Sequence, residues 1–66
     1  MAELTINGNR KELDADTLKD VVERLGLTGR PVVAEVDGEV VASEKWAETK
    51  VTNGMNIELV HFVGGG

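Results

Sequence analysis

The sequence contains no cysteine and no tyrosine, and only one each of histidine, proline, phenylalanine and tryptophan. Without cysteine there is no disulfide, no thiolate nucleophile and no thiolate metal ligand. One histidine excludes a histidine cluster. No run approaches the ~18 consecutive apolar residues of a membrane span. The opening Met1-Ala2-Glu3-Leu4 lacks the basic start and apolar core of a secretory signal, so the expectation is a cytoplasmic protein. Basic residues are scarce: seven Lys and Arg stand against twelve Asp and Glu, a formal net charge of −5 at pH 7. That balance argues against nucleic-acid and anionic-membrane partners, which want basic patches. It favours a protein partner with a basic surface.

What is present fits one small folded domain. Hydrophobic residues make up 41% and charged residues 29% of the 66-residue chain, a globular rather than a disordered composition. A chain of about 60 residues buries only ~60% of the surface that its unfolded form exposes. With no disulfide to help, the core must come from packed secondary structure. There is no room for a cleft between two domains. Glycine is the abundant exception, with eight, three of them at positions 64 to 66.

The order of elements follows from periodicity and turn chemistry. Leu4-Thr5-Ile6 alternates and is β-branched, so it reads as a strand. Asn7-Gly8 is a hairpin dipeptide, and Arg10 to Leu13 returns as a second strand. Thr17 with Asp20 three positions on fits a capping pattern. Leu18, Val21, Val22 and Leu25 then form one apolar helix face. Gly26 stands where a left-handed C-terminal cap belongs. Pro31 precedes a third strand, Val32 to Val36, as edges and strand starts allow. Asp37-Gly38 turns the chain into a short fourth strand, Glu39 to Val41. Ser43 to Trp46 reads as one helical or 3₁₀ turn behind a capping serine. Asn53-Gly54 is a third turn, and Asn56 to Val63 is the last strand. The predicted class is α+β, a mixed sheet of four to five strands with one helix on one face. The last strand is expected at the sheet centre beside the first. Residues 1–63 form the domain and residues 64–66 a glycine tail.

In the last strand Ile57 and Leu59 share the face assigned to the core, leaving Glu58, Val60 and Phe62 toward solvent. Apolar Val60 and Phe62 on the open side mark a candidate contact surface, against the plainer reading of strand propensity alone. Glycine without a Cβ lets Gly64 and Gly65 pass close to another surface and leaves the Gly66 carboxylate unshielded. Three extended residues reach ~10 Å beyond the sheet. The plainer reading of the tail is a frayed terminus.

The element order, the Thr17-Leu18 helix start, Lys45-Trp46-Ala47, Asn53-Gly54 and the ending Val60-His61-Phe62-Val63-Gly64-Gly65-Gly66 resemble the ubiquitin-like β-grasp fold and, within it, the ThiS family of sulfur carriers in thiamine biosynthesis. The resemblance covers the whole chain, and the combination of motifs carries it. Met55 and Asn56 depart from a stretch that is often acidic in the family. The related small subunit of molybdopterin synthase also ends in Gly-Gly but is usually longer, often with a proline-containing tail.

The resemblance implies a carrier that is a substrate rather than an enzyme. Gly66 would be the reactive residue: an ATP-dependent, E1-like adenylating partner activates its carboxylate, and a sulfur donor such as a cysteine desulfurase supplies a persulfide. The thiocarboxylate so formed gives its sulfur to thiazole synthase. Val60, Phe62, Gly64 and Gly65 would meet the partners. The chain would bind no cofactor or metal of its own, ATP being used by the partner, and would be a monomer when free. Sulfur donation to molybdopterin synthesis, a ubiquitin-like modifier joined through Gly66, and a plain interaction module remain as alternatives.

Other residues draw structural readings. His61 is a lone histidine at a strand end, and a catalytic base needs oriented partners. Trp46 reads as a core or lid residue. Glu12, Asp14, Asp16, Asp20 and Glu23 read as a solvated acidic face that also favours the first turn of the helix.

Overall fold

The computed structural model describes residues 1–61. The elements run β1 (Ala2–Ile6), β2 (Asn9–Leu13), α1 (Leu18–Arg24), β3 (Val32–Val36), β4 (Glu39–Val41), a 3₁₀ segment (Ser43–Glu48) and β5 (Asn56–His61). The five strands form one mixed sheet in the order β2-β1-β5-β3-β4. β5 is central, parallel to β1 and antiparallel to β3. The architecture read from the sequence is therefore the one observed.

Two hairpins and one helix build it. Asn7 (φ 50) with Gly8 (φ 82), and Asp37 (φ 49) with Gly38 (φ 91), both hold two successive positive φ angles. That is the two-residue turn whose twist matches the flanking strands, and Asn-Gly and Asp-Gly are the pairs that tolerate it best. In α1 the capping box is complete. Asp20 N–H donates to Thr17 Oγ1 at 3.2 Å, and Thr17 N–H donates to Asp20 Oδ2 at 3.1 Å. The other end closes as a Schellman motif. Gly26 (φ 73) donates to Glu23 O at 3.0 Å and Leu27 to Val22 O at 3.0 Å, so the last carbonyls are satisfied.

The helix start is also tied to the segment after the 3₁₀ turn. Leu18 N–H donates to Thr49 O at 2.8 Å and Val51 N–H to Asp16 O at 3.0 Å. This clamp places Val51 in the core. Leu4, Leu18, Val21 and Ile57 are completely buried there, with Ala34 and Leu59 beside them. Each large side chain so buried contributes about 1.5–3 kcal/mol. Trp46 packs over the edge of this core and its Nε1–H donates to Val41 O at 2.9 Å, so it is the lid of the two readings.

Three local expectations change. Ser43 is not a cap: Ala42 holds the N-cap position of the 3₁₀ segment and no side chain bonds there. With a backbone already extended at Ala42 and 3₁₀ bonds closing after three residues, the turn forms without one. That segment also runs to Glu48 rather than stopping at Trp46. Glu12 does not share the helix-side acidic cluster, because β2 pairing places it opposite Glu3 on the far face of the sheet.

Candidate functional site

The helix covers one face of the sheet and leaves the other open. The ladder registers decide what lies on the open face. Val33 stands opposite Val60 across the β3–β5 pair, and Glu35 stands opposite Glu58. On the outer side of β3, Val40 pairs with Glu35. These five residues alternate with Ala34, Ile57 and Leu59, which face the core. Val33, Val60 and Val40 are 37%, 49% and 67% exposed, so the open face carries an apolar strip of two directly paired valines, Val33 and Val60, with Val40 diagonal to Val33 in the row of Glu35 and Glu58.

One pair of carboxylates adjoins the strip: Glu35 and Glu58 are directly opposed, whereas the other opposed pair, Glu3 and Glu12, lies at the far end of the sheet, level with Asn53 and Gly54. Like charges at directly paired positions are destabilising by tenths of a kcal/mol. Among the described residues neither pair forms an ion pair, and Arg10, opposite Thr5, is the basic residue that the strand ladder places on this face. Exposed valines beside an opposed pair of carboxylates fit a partner surface that sets a basic group next to an apolar one.

Of the residues singled out from the sequence, Val60 lies in this strip, on the side expected of it. Phe62, Gly64, Gly65 and Gly66 lie outside the described residues. His61 is exposed at the end of β5, opposite Val32. Sequence reasoning missed Val33 and Val40. Val33 sits in the run Val32-Val33-Ala34, where periodicity does not say which residue faces out. The signal was available only by pairing: once β5 is central and antiparallel to β3, the neighbour of Val60 must share its face.

The remaining acidic residues do not make a second site. Asp14, Asp16, Asp20 and Glu23 surround a shallow depression with Arg24. Arg24 is engaged there, its Nε–H donating to Asp14 O at 3.1 Å and its guanidinium 3.6 Å from Asp14 Oδ2. The Asp20 carboxyl is held below its ordinary range by the N–H groups of Asp16 and Thr17. That is the electrostatics of a helix cap. Among the described residues no group of three or more His, Asp or Glu is arranged to hold a metal ion, and no helix is long and apolar enough to cross a membrane.

A central β5 flanked by β1 and β3, with a single helix across one face, defines a ubiquitin-like β-grasp domain. Solved structures agree. The crystal structure of thiamine biosynthesis protein ThiS from Geobacter metallireducens superposes with a TM-score of 0.78 at 31% identity, covering 97% of this chain and 99% of that one. The solution structure of a thiamine biosynthesis protein from the same organism gives 0.79 at 29% identity, with 97% and 87% covered. The sequence model of the ThiS family matches residues 4–66. The chain belongs to the ThiS family, the sulfur carriers of thiamine biosynthesis. Sulfur carrier protein ThiS of Bacillus subtilis (strain 168) is 32% identical over 65 residues, covering 96% of this chain and 98% of that protein. The thiazole synthase of Paramagnetospirillum magneticum is 34% identical over 64 residues, 96% of this chain, but the chain spans only 20% of that protein's length.

Proposed function

We propose that this chain carries sulfur as a thiocarboxylate on Gly66 and delivers it to thiazole synthase. The observation that carries the proposal is the family match, which runs through Gly66. A carboxylate is a poor electrophile because oxide is a poor leaving group. An ATP-dependent adenylating partner overcomes this: a Gly66 oxygen attacks the α-phosphorus, pyrophosphate leaves, and the acyl-adenylate has AMP as its leaving group. A persulfide sulfur, supplied by a donor such as a cysteine desulfurase, then attacks the acyl carbon. AMP leaves as an acyl disulfide forms, and a second thiolate on the partner side attacks the donor sulfur, so that the partners keep a disulfide and the thiocarboxylate is released on Gly66. The chain has no cysteine of its own, so the thiol chemistry falls to its partners. It binds no cofactor; it is the substrate on which they act, in the ATP-supplied cytoplasm.

The acceptor follows from the relative named thiazole synthase. A segment resembling this chain lies within a protein about five times as long, which supports a working contact between a carrier domain of this kind and the thiazole-forming enzyme. In this reading the partners dock on Val60 and its cross-strand neighbour Val33, with Val40 diagonal to Val33 on β4, and Phe62, Gly64 and Gly65 are the further contact residues. Removing Gly66 tests the assignment. The shortened chain should keep its fold by circular dichroism and lose sulfur transfer to thiazole synthase completely. A shortened chain that still delivers sulfur would place the reactive group elsewhere.

A further inference from the structure

β5 leaves the sheet with unequal support on its two edges. On one side β3 pairs with it from Val36 opposite Ile57 to Val32 opposite His61. On the other side β1 pairs at only two positions, Thr5 with Asn56 and Ile6 with Ile57. There β1 turns away into its hairpin, and the last backbone bond is Asn7 N–H to Ile57 O at 2.9 Å. The next ladder step along that edge, at Leu59, has no β1 backbone to meet.

The side chain of Asn7 fills that step. Leu59 N–H donates to Asn7 Oδ1 at 2.8 Å, and Asn7 Nδ2–H donates to Leu59 O at 3.2 Å. A carboxamide carries the acceptor and the donor of a peptide group, so it continues the β1 edge by one residue after the backbone has left. The second hairpin shows why this residue must be an amide. Asp37, its counterpart, accepts from Asn56 N–H through Oδ1 at 3.0 Å, while its own backbone N–H serves Asn56 O at 2.8 Å. An acceptor suffices there. At Leu59 the side chain must face a carbonyl as well, and a carboxylate would repel it. Asn7 and Asp37 are the two non-glycine residues with positive φ among those described, and each binds β5, Asp37 at its first residue and Asn7 at its fourth, on opposite edges.

We propose that Asn7 is a positioning residue for the sulfur-carrier reaction: its amide fastens β5 at Leu59, on the edge that β1 has left, and so helps set the direction in which the chain runs on toward Gly66. The inference rests on the function proposed above. Leu59 lies between the docking residue Val60 and the buried Ile57, so the fastening joins the surface that binds the partner to the strand that carries the reactive end. A reacting group misplaced by about 1 Å can cost on the order of 10²-fold in rate. Loss of the fastening should therefore lower turnover and leave docking alone.

The test uses the full chain with its ATP-dependent adenylating enzyme, following ATP–pyrophosphate exchange against carrier concentration. Asn7→Gly keeps the positive-φ turn and removes the amide. Asp37→Gly removes the matching bond at the first residue of β5 and controls for general loss of stability. Asn7→Asp keeps the acceptor and removes the donor. We expect Asn7→Gly to lower kcat about tenfold with KM within about twofold, because aim is lost and docking is not. Asn7→Asp should follow it, and Asp37→Gly should stay within about twofold of the parent in both constants. Amide hydrogen exchange at Leu59 should accelerate in Asn7→Gly and not in Asp37→Gly. A parent-like kcat in Asn7→Gly, an equal loss in Asp37→Gly, or unchanged exchange at Leu59 would overturn this inference alone. A parent chain that supports no pyrophosphate exchange would overturn the sulfur-carrier reading, and the positioning role with it.

Discussion

Val33 and Val60 face each other across the β3–β5 ladder, on the side of the sheet that α1 does not cover. Neither is needed to fill the core, and both remain substantially exposed. The contact they offer is therefore separable from folding. Val60→Asp should lower stability by no more than about 1 kcal/mol and leave the chain folded, while raising the KM for the carrier in adenylation about tenfold or more, as loss of an apolar anchor at an interface does. Saturation kinetics beside a thermal melt checks both halves. An unchanged KM would remove this strip from the docking surface.

Leu18 has the opposite character. It is completely buried on the first turn of α1, and its backbone N–H is also tied to Thr49. For a chain of this length total stability is on the order of 3–10 kcal/mol. Leu18→Ala should cost about 3 kcal/mol through lost burial and the cavity left behind. Urea unfolding would show a strongly lowered midpoint, and a change below about 1 kcal/mol would contradict the packing described here.

The α1 cap gives a pH signature. Thr17→Ala removes the acceptor for the Asp20 N–H and should cost about 1 kcal/mol near neutral pH. Asp20→Asn keeps the shape and removes the charge. Because the Asp20 carboxyl is held below its ordinary value by the Asp16 and Thr17 N–H groups, its contribution is complete above the unfolded-state value and fades as pH falls through the folded-state value. The stability difference between parent and Asp20→Asn should be widest at neutral pH and close in acid, below the ordinary carboxylate range. Unfolding curves across that range check it, and a gap independent of pH would contradict the cap.

Trp46 supplies a spectroscopic handle on the lid. Its Nε1–H bond to Val41 O ties the 3₁₀ segment to the end of β4. Trp46→Phe keeps most of the apolar contact and leaves that bond unmade, which should cost about 1 kcal/mol. Hydrogen exchange should rise along residues 43–48, and an unchanged rate would show that the indole bond does not hold the segment.

Much of the scaffold was legible because several local signals agreed. Thr17 and Asp20 mark the helix start, Leu18, Val21 and Val22 its buried face, and Gly26 its end, and each does in the structure what its residue type predicts. Asn7-Gly8 and Asp37-Gly38 marked both hairpins through the same backbone requirement. What stayed hidden depended on contacts far apart in sequence. The exposed faces of Val33 and Val40 follow from strand pairing, since a run of valines carries no phase. The second task of Asn7, holding Leu59 across the sheet, depends on β1 ending opposite Ile57, two residues short of Leu59, which no local pattern contains. Ser43 was misread because a serine before a short helix is a good cap only when its side chain meets a free N–H, and Ala42 occupies that place.

The central claim is that Gly66 carries the sulfur. The most direct measurement is the intact mass of the chain after incubation with ATP, its adenylating enzyme and a persulfide source, followed by fragmentation to locate the change. The account predicts replacement of one oxygen by sulfur, confined to Gly66 and dependent on ATP. An unchanged mass under conditions where the enzyme is active, or a modification on any other residue, would contradict it.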